Sequence, residues 1–250
     1  MKTLIVTGTD TGVGKTVVAA MLVLALDAFY WKPIQSGLTD GTDTETVAAL
    51  TGVDRASLLR EAYRLRQPLS PHRSAELDGV TIDPAALVLP AIPPGRWLIV
   101  EGAGGALVPV TRSLLQIELF TRWQAPAVVV ARTALGTINH TLLTIEALRR
   151  REIPVQGIVF VGDENSDTQR IIGEFSAAKV LGSVPVMKKI DADALREVFG
   201  RQFRASDFDF FAPADAGALG GRPHAAQSAA PNSKDGRAKR GGGGNDKLGR

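Results

Sequence analysis

The chain contains no cysteine. That excludes disulfides, thiolate metal sites and a cysteine nucleophile, and it fits a reducing compartment. A basic-apolar-small leader pattern is also missing, since Met1-Lys2 runs straight into an apolar stretch. No apolar run is long enough for a bilayer: the longest helical one, Val17 to Leu26, is stopped by Asp27. Internal repeats are absent too. These absences lead to the expectation of a cytoplasmic protein with no membrane partner. The net charge of +3 invites a nucleic-acid reading, but the surplus is confined to one end. Residues 212–250 carry seven Lys/Arg against three Asp, whereas residues 1–211 hold 22 basic and 23 acidic side chains. The body is near neutral, so no nucleic-acid partner is expected.

What is present is enough for one large α/β domain: 250 residues, 44% of them hydrophobic. Short continuous apolar runs suggest strands at Thr3–Thr7, Ala28–Trp31, Trp97–Val100, Ala127–Ala131, Val155–Phe160 and Val180–Val184. Helical patterns fall at Lys15–Leu26, Asp43–Leu50, Leu114–Trp123, Ile138–Arg151, Asp167–Ala178 and Ala192–Phe199. This alternation predicts an α/β fold, a parallel sheet flanked by helices on both faces. Ligands of such folds bind at the carboxyl ends of strands, which singles out loops 8–16, 32–43, 101–113, 131–139 and 161–166. The pattern fails after Phe211. Residues 212–250 are rich in Gly, Ala, Pro and Ser, with four consecutive glycines at Gly241–Gly244, and read as a disordered basic tail to a single domain over 1–211.

One loop carries most of the chemistry. Gly8-Thr9-Asp10-Thr11-Gly12-Val13-Gly14-Lys15-Thr16 follows an apolar strand and opens a helix, the context that a phosphate-binding loop (P-loop) requires. Its backbone N–H groups and the helix N-terminus would cradle phosphate. Lys15 would reach the β- and γ-phosphates, and the Thr16 hydroxyl would bind Mg²⁺. Gly8 and Gly14 enclose five residues, one more than the common spacing. The fold is accordingly expected to be P-loop NTPase-like.

Two further segments end on strands beside that loop. Trp97-Leu98-Ile99-Val100-Glu101 leads into Gly102-Ala103-Gly104-Gly105. An acid there can hold Mg²⁺ opposite the phosphates, and the glycines let backbone approach a ligand; the plain alternative is a strand-ending acid before a tight turn. Lys32-Pro33-Ile34-Gln35-Ser36-Gly37 would place a cation where negative charge develops, although spacing alone fits a surface lysine equally well. Weaker signals come from Asp43, whose spacing favours a helix cap over a metal ligand, from Ser70-Pro71-His72, and from Gly136-Thr137-Ile138-Asn139-His140, a helix start able to bind a carboxylate or simply to cap.

In order and spacing these five segments together resemble the dethiobiotin synthetases, from about residue 3 to about residue 187. The resemblance implies an ATP-dependent ligase of biotin biosynthesis. Its substrates would be 7,8-diaminononanoate and CO₂ (or bicarbonate as its source), with ATP as co-substrate and Mg²⁺ as cofactor. It implies that Lys15 and Lys32 bracket a carbamate and the moving phosphoryl group, with Thr11 and Ser36 hydrogen-bonded to the carbamate end. Thr16, Asp43 and Glu101 would hold the metal. Thr9, Asp10, Thr11, Gly12, Val13, Gly14, Lys15, Thr16 and Glu101 would form the nucleotide site. Gly102, Ala103, Gly104 and Gly105 would line the diamine, and Asn139 would serve its carboxylate across a homodimer. Two departures stand out: Gly12 replaces a Glu found in some relatives, and Asn165 lies several residues beyond the strand end where relatives often place an adenine-reading Asn. The second leads to the expectation of a relaxed nucleotide preference.

The alternative is a nucleotide-dependent switch of the partition or division-site ATPase type. Those carry a signature lysine early in the loop, and Asp10 stands at that position here. Glutamine-dependent amidating ligases need a cysteine nucleophile, which this chain lacks.

Overall fold

Alternation along the short apolar runs decides which face of the sheet each side chain takes. In the computed structural model, which describes residues 2–209, Leu4 and Val6 of the first strand enter one core and Ile5 enters the opposite one. Val128 and Val130 likewise face the first core, while Ala127, Val129 and Ala131 face the second. Both faces are apolar because both are covered.

The chain order is β1 (Lys2–Gly8), α1 (Lys15–Ala25), β2 (Phe29–Trp31), β3 (Ile34–Ser36), α2 (Asp43–Thr51), β4 (Leu58–Leu59), β5 (Tyr63–Leu65) and α3 (Pro71–Asp78). There follow β6 (Trp97–Gly105), α4 (Gln116–Trp123), β7 (Ala127–Arg132), α5 (Thr137–Arg149), β8 (Val155–Val161), α6 (Ser166–Ser176), β9 (Val180–Val184) and α7 (Ala192–Gln202). Seven strands form one parallel sheet in the order β4-β2-β6-β1-β7-β8-β9. β3 and β5 pair, also in parallel, as a separate ribbon. The expected α/β class, parallel sheet and two helical layers are all present.

Helix α1 is apolar nearly all round, and Val18, Met21, Leu22 and Val23 are fully buried against the sheet, α2 and α7. Each such side chain contributes about 1.5–3 kcal/mol on burial. That burial anchors the helix whose N-terminus faces the site.

Several expectations need correction. β6 does not end at Val100 but continues through the glycines to Gly105, with a slip in its ladder to β1 between Val6 and Gly8. The loop expected over 32–43 contains β3, and the segment between α2 and β6 holds β4, β5 and α3. Helix α4 starts at Gln116 rather than Leu114 because Leu115 is its N-cap. The tail proposed over 212–250 lies outside the described residues.

Candidate active site

Gly14 caps α1 with φ of 96°, a conformation that strains any residue with a Cβ. A Cβ there would also lie 2.9 Å from Val161 Cγ1 at the end of β8. The turn delivers Lys15 and Thr16 to the carboxyl edge of the sheet. Lys15 is buried and its Nζ donates to the Asp10 carbonyl at 2.9 Å, so the ammonium folds back over its own loop. Burial, reinforced by the nearby Lys32, pushes its pKa down to about 8 against the opposing pull of Glu101, Asp43 and Asp10. Asp10 itself accepts the Thr11 N–H at 2.7 Å and pairs with Arg132 at 2.6 Å.

Glu101, 1% exposed, is the hub. Its Oε1 accepts from Thr16 Oγ1 at 3.0 Å and from Lys32 Nζ at 2.9 Å, and its Oε2 accepts from the Tyr30 hydroxyl at 2.8 Å. Lys32 also donates to the Gly102 carbonyl at 3.0 Å and pairs with Asp43 at 2.6 Å. It is therefore a buried ammonium between two carboxylates, not a surface lysine. Burial alone would lower its pKa, but Glu101 and Asp43 raise it above the ordinary lysine value. Burial likewise opposes ionisation of Asp43, yet Lys32, Thr16 and Lys15 hold its carboxyl below the usual range. Burial, with Glu101 and Asp43 close by, pushes the Tyr30 phenol well above its usual value, which keeps it a donor.

Asp43 is not the helix cap that its spacing favours. Thr42 caps α2, in a reciprocal capping box with Glu45, and Asp43 takes the next position with its side chain free for Lys32 and Thr16. The Gln35 side-chain carbonyl accepts the Asp43 N–H at 3.0 Å and fixes that turn.

Lys15, Thr16, Lys32, Gln35, Asp43 and Glu101 line a cavity of about 690 Å³. Ile34, Pro68, Leu69 and Val108 add apolar lining, and Thr11, Ala103 and Gly104 border it too. Ser36 lines it as well, and its buried hydroxyl has no hydrogen-bond partner. Of the nucleotide-loop residues, Thr11, Gly12, Gly14, Lys15 and Thr16 line the cavity, while the Val13 side chain is packed into the core. Thr9 donates its N–H to Val130 at the sheet edge. Gly105 pairs with Gly8, and a Cβ on Gly104 would lie 3.3 Å from Thr11 Oγ1. Ser70 and Pro71 join the lining, with the Ser70 hydroxyl 3.0 Å from His72 Nδ1. Asn139 does not reach this cavity; it is exposed in the first turn of α5, after the Gly136 cap. Asn165 caps α6 and accepts the Thr168 N–H.

No group of three or more His, Asp or Glu side chains gathers among the described residues. The site instead offers two carboxylates and one hydroxyl, with Thr16 Oγ1 lying 3.2 Å from Asp43 and 3.0 Å from Glu101. That all-oxygen set suits Mg²⁺, which keeps several waters and completes its shell with substrate phosphate. Sequence reasoning overlooked Tyr30, Gln35, Gln116 and Arg132. The first sits inside an apolar run and left no signal, whereas Arg132 is the last residue of β7 and falls in the segment 131–139 already singled out.

A family model described as an AAA domain matches residues 2–194. The ATP-dependent dethiobiotin synthetase BioD of Rhodopseudomonas palustris (strain HaA2) is 56% identical over 207 residues, covering 83% of this chain and 96% of that protein. The protein of the same name from Agrobacterium fabrum is 54% identical over 204 residues, with 82% and 95% covered. Among solved structures, the septum site-determining protein MinD complexed with Mg-ADP from Pyrococcus horikoshii OT3 is similar at 10% identity and a TM-score of 0.46, over 79% of this chain and 93% of that one. No helix among the described residues is long and apolar enough to cross a membrane.

Proposed function

The chain belongs to the ATP-dependent dethiobiotin synthetases, and on that footing we propose that its site closes a ureido ring on 7,8-diaminononanoate. One amine captures CO₂, loses a proton and becomes a carbamate. A carbamate oxygen attacks the γ-phosphorus of ATP, which releases ADP and leaves a carbamic-phosphoric anhydride. The second amine attacks the anhydride carbonyl, expels phosphate, loses a proton and forms dethiobiotin. Such chemistry needs placement and charge neutralisation more than a protein nucleophile.

The observation that carries this reading is the position of Lys32. A buried ammonium sits between Glu101 and Asp43 on a cavity lined by both polar and apolar side chains. Lys32 and Lys15 would flank the carbamate and the transferring phosphoryl group, where negative charge gathers. Thr11 and the unpartnered Ser36 hydroxyl would hydrogen-bond the carbamate, and the aliphatic chain would follow Ile34, Leu69 and Val108. Thr16, Asp43 and Glu101 would hold Mg²⁺, which when bound neutralises charge on the phosphate oxygens. Asn139, remote from the cavity in its own chain, would serve the substrate carboxylate in a homodimer. The reading brings a cytoplasmic setting with it. It also keeps the expectation of relaxed nucleotide choice, because the Asn165 side-chain oxygen is taken up as a helix cap; a strong preference for ATP over CTP and GTP in kcat/KM would overturn that part.

A nucleotide-dependent switch is disfavoured. Asp10, at the position of the signature lysine, is held by Arg132 and by the Thr11 N–H. The test is phosphate release by purified protein with ATP and Mg²⁺, with and without 7,8-diaminononanoate and bicarbonate. Release that depends on the diamine, with dethiobiotin identified by mass, is expected. Release indifferent to the diamine would refute the ligase reading.

A further inference from the structure

The wall of the cavity beside the P-loop is backbone whose place in the sheet is unusual. β1 and β6 stay in register from Lys2 and Trp97 up to Val6 and Glu101, after which the next pair is Gly8 with Gly105. β6 thus advances four residues while β1 advances two, and Gly102, Ala103 and Gly104 have no register partner on β1. Backbone polar groups in such a position need other partners.

Gln116 supplies them. Its Oε1 accepts the Ala103 N–H at 2.5 Å, and its Nε2 donates to the Gly105 carbonyl at 3.1 Å. A carboxamide carries the same donor and acceptor as a peptide group, so this one side chain stands in for the missing strand. It is itself held firmly. Gln116 is 3% exposed, it is the first residue of α4, and its own N–H donates to the Val108 carbonyl at 2.9 Å. The amide lies against Gly102, where an added Cβ would lie 2.7 Å from Nε2 and 3.1 Å from Phe120. The segment so held provides the Gly102 carbonyl that accepts from Lys32, and the Ala103 and Gly104 backbone that walls the cavity.

We propose that Gln116 is a positioning residue for the organic substrate: its carboxamide sets the Gly102–Gly105 backbone against which the diamine is bound. The proposal rests on the ring-closing reading for the identity of that substrate. The nucleotide is expected to depend on Gln116 less, because its phosphates would be cradled by P-loop N–H groups and the Gln116 side chain bonds only Ala103 and Gly105. A side chain that only filled space would be replaceable by one of equal size.

Gln116→Met keeps the volume and removes both hydrogen bonds. Gln116→Glu keeps an acceptor for the Ala103 N–H but turns an oxygen toward the Gly105 carbonyl. In steady-state assays with ATP and Mg²⁺, Gln116→Met is expected to raise KM for 7,8-diaminononanoate about tenfold, the loss of a buried hydrogen-bond pair. Its KM for ATP should stay within about twofold of the original. Amide hydrogen exchange at Ala103 should quicken in Gln116→Met and remain protected in Gln116→Glu. Unchanged KM for the diamine, or equal shifts for both substrates, would overturn the proposal. So would Ala103 exchange that Gln116→Met leaves unaltered. Should the unsubstituted protein show no diamine-dependent turnover, the ring-closing reading fails, and this proposal fails with it as to substrate. The exchange data would still decide separately whether Gln116 holds the strand.

Discussion

Lys15 gives the sharpest quantitative prediction. With no nucleotide bound, burial and the neighbouring Lys32 bring its pKa to about 8. Phosphate oxygens placed on the P-loop would favour the charged form and raise that value. Nucleotide binding above pH 8 must then take up a proton. At pH 9 a group with a pKa of about 8 is roughly nine-tenths neutral, so uptake should be about 0.9 proton per nucleotide; at pH 7 it should be about 0.1. Lys32 stays silent because its partners raise its pKa, as does Tyr30, which is held well above its usual value. The assay is titration calorimetry with ATP at fixed Mg²⁺, in two buffers of different ionisation enthalpy. Lys15→Arg is the control, since a guanidinium keeps the charge but has no proton to gain below about pH 12. No uptake at pH 9, or equal uptake in Lys15→Arg, would refute the reasoning. The same shift also acts on folding. The unfolded chain binds the Lys15 proton more tightly, so between about pH 8 and 10.5 the Lys15 contribution to stability grows as pH rises.

Other substitutions separate the parts of the site. Lys32→Ala should cost about 3 kcal/mol, because it leaves the Glu101 carboxylate buried without its cation, although Tyr30 and Thr16 still donate to it. Its kcat should fall by about 100-fold or more while a cooperative thermal transition persists, and unchanged turnover would remove Lys32 from the mechanism. Tyr30→Phe keeps the ring and strips one donor from Glu101; a loss of about 1–3 kcal/mol by denaturant unfolding is expected, and a neutral result would show that the bond contributes little. Gly14→Ala must bear φ of 96° and a 2.9 Å approach to Val161. Nucleotide affinity by calorimetry should drop by tenfold or more, about 1.4 kcal/mol of strain or above, and intact affinity would mean the loop relaxes freely.

The main sheet was legible because its strands are buried on both faces and so read as unbroken apolar runs. Val180–Val184 matches the expected bounds, and the ends of the other five expected main-sheet strands fall within one residue, except that β6 runs on from Val100 to Gly105. The short strands escaped for the opposite reason. Ile34–Ser36 and Tyr63–Leu65 have three residues each and mix apolar with polar side chains, so neither makes an apolar run. Helix α3 is mostly polar, with only Pro71, Ser74 and Ala75 buried; its bounds were written instead in Pro71 at the start and Gly79 at the end.

At the site, the same division holds between what one segment encodes and what only packing creates. The P-loop is local, so Gly8 to Thr16 announced it. The status of Lys32 is not local. A lysine after a short strand becomes a buried ion-pair partner only because β2 lies beside β6, which brings Glu101 and Gly102 to it across 69 and 70 residues of sequence. Asp43 shows the intermediate case. Thr42 followed by Glu45 spells a capping box, which already assigns the cap to Thr42 and frees Asp43 for another role. Gln116 lies at the far extreme. A glutamine at the start of an amphipathic helix looks like a solvated polar residue, and nothing nearby in sequence marks Ala103 and Gly105 as needing partners. The need arises only when β6 slips past β1, a consequence of pairing that becomes visible once both strands are in place. Residues that repair such slips are therefore found by asking which backbone groups the sheet leaves unpaired. Here that question leads straight to the wall of the cavity that Lys32 and Glu101 line.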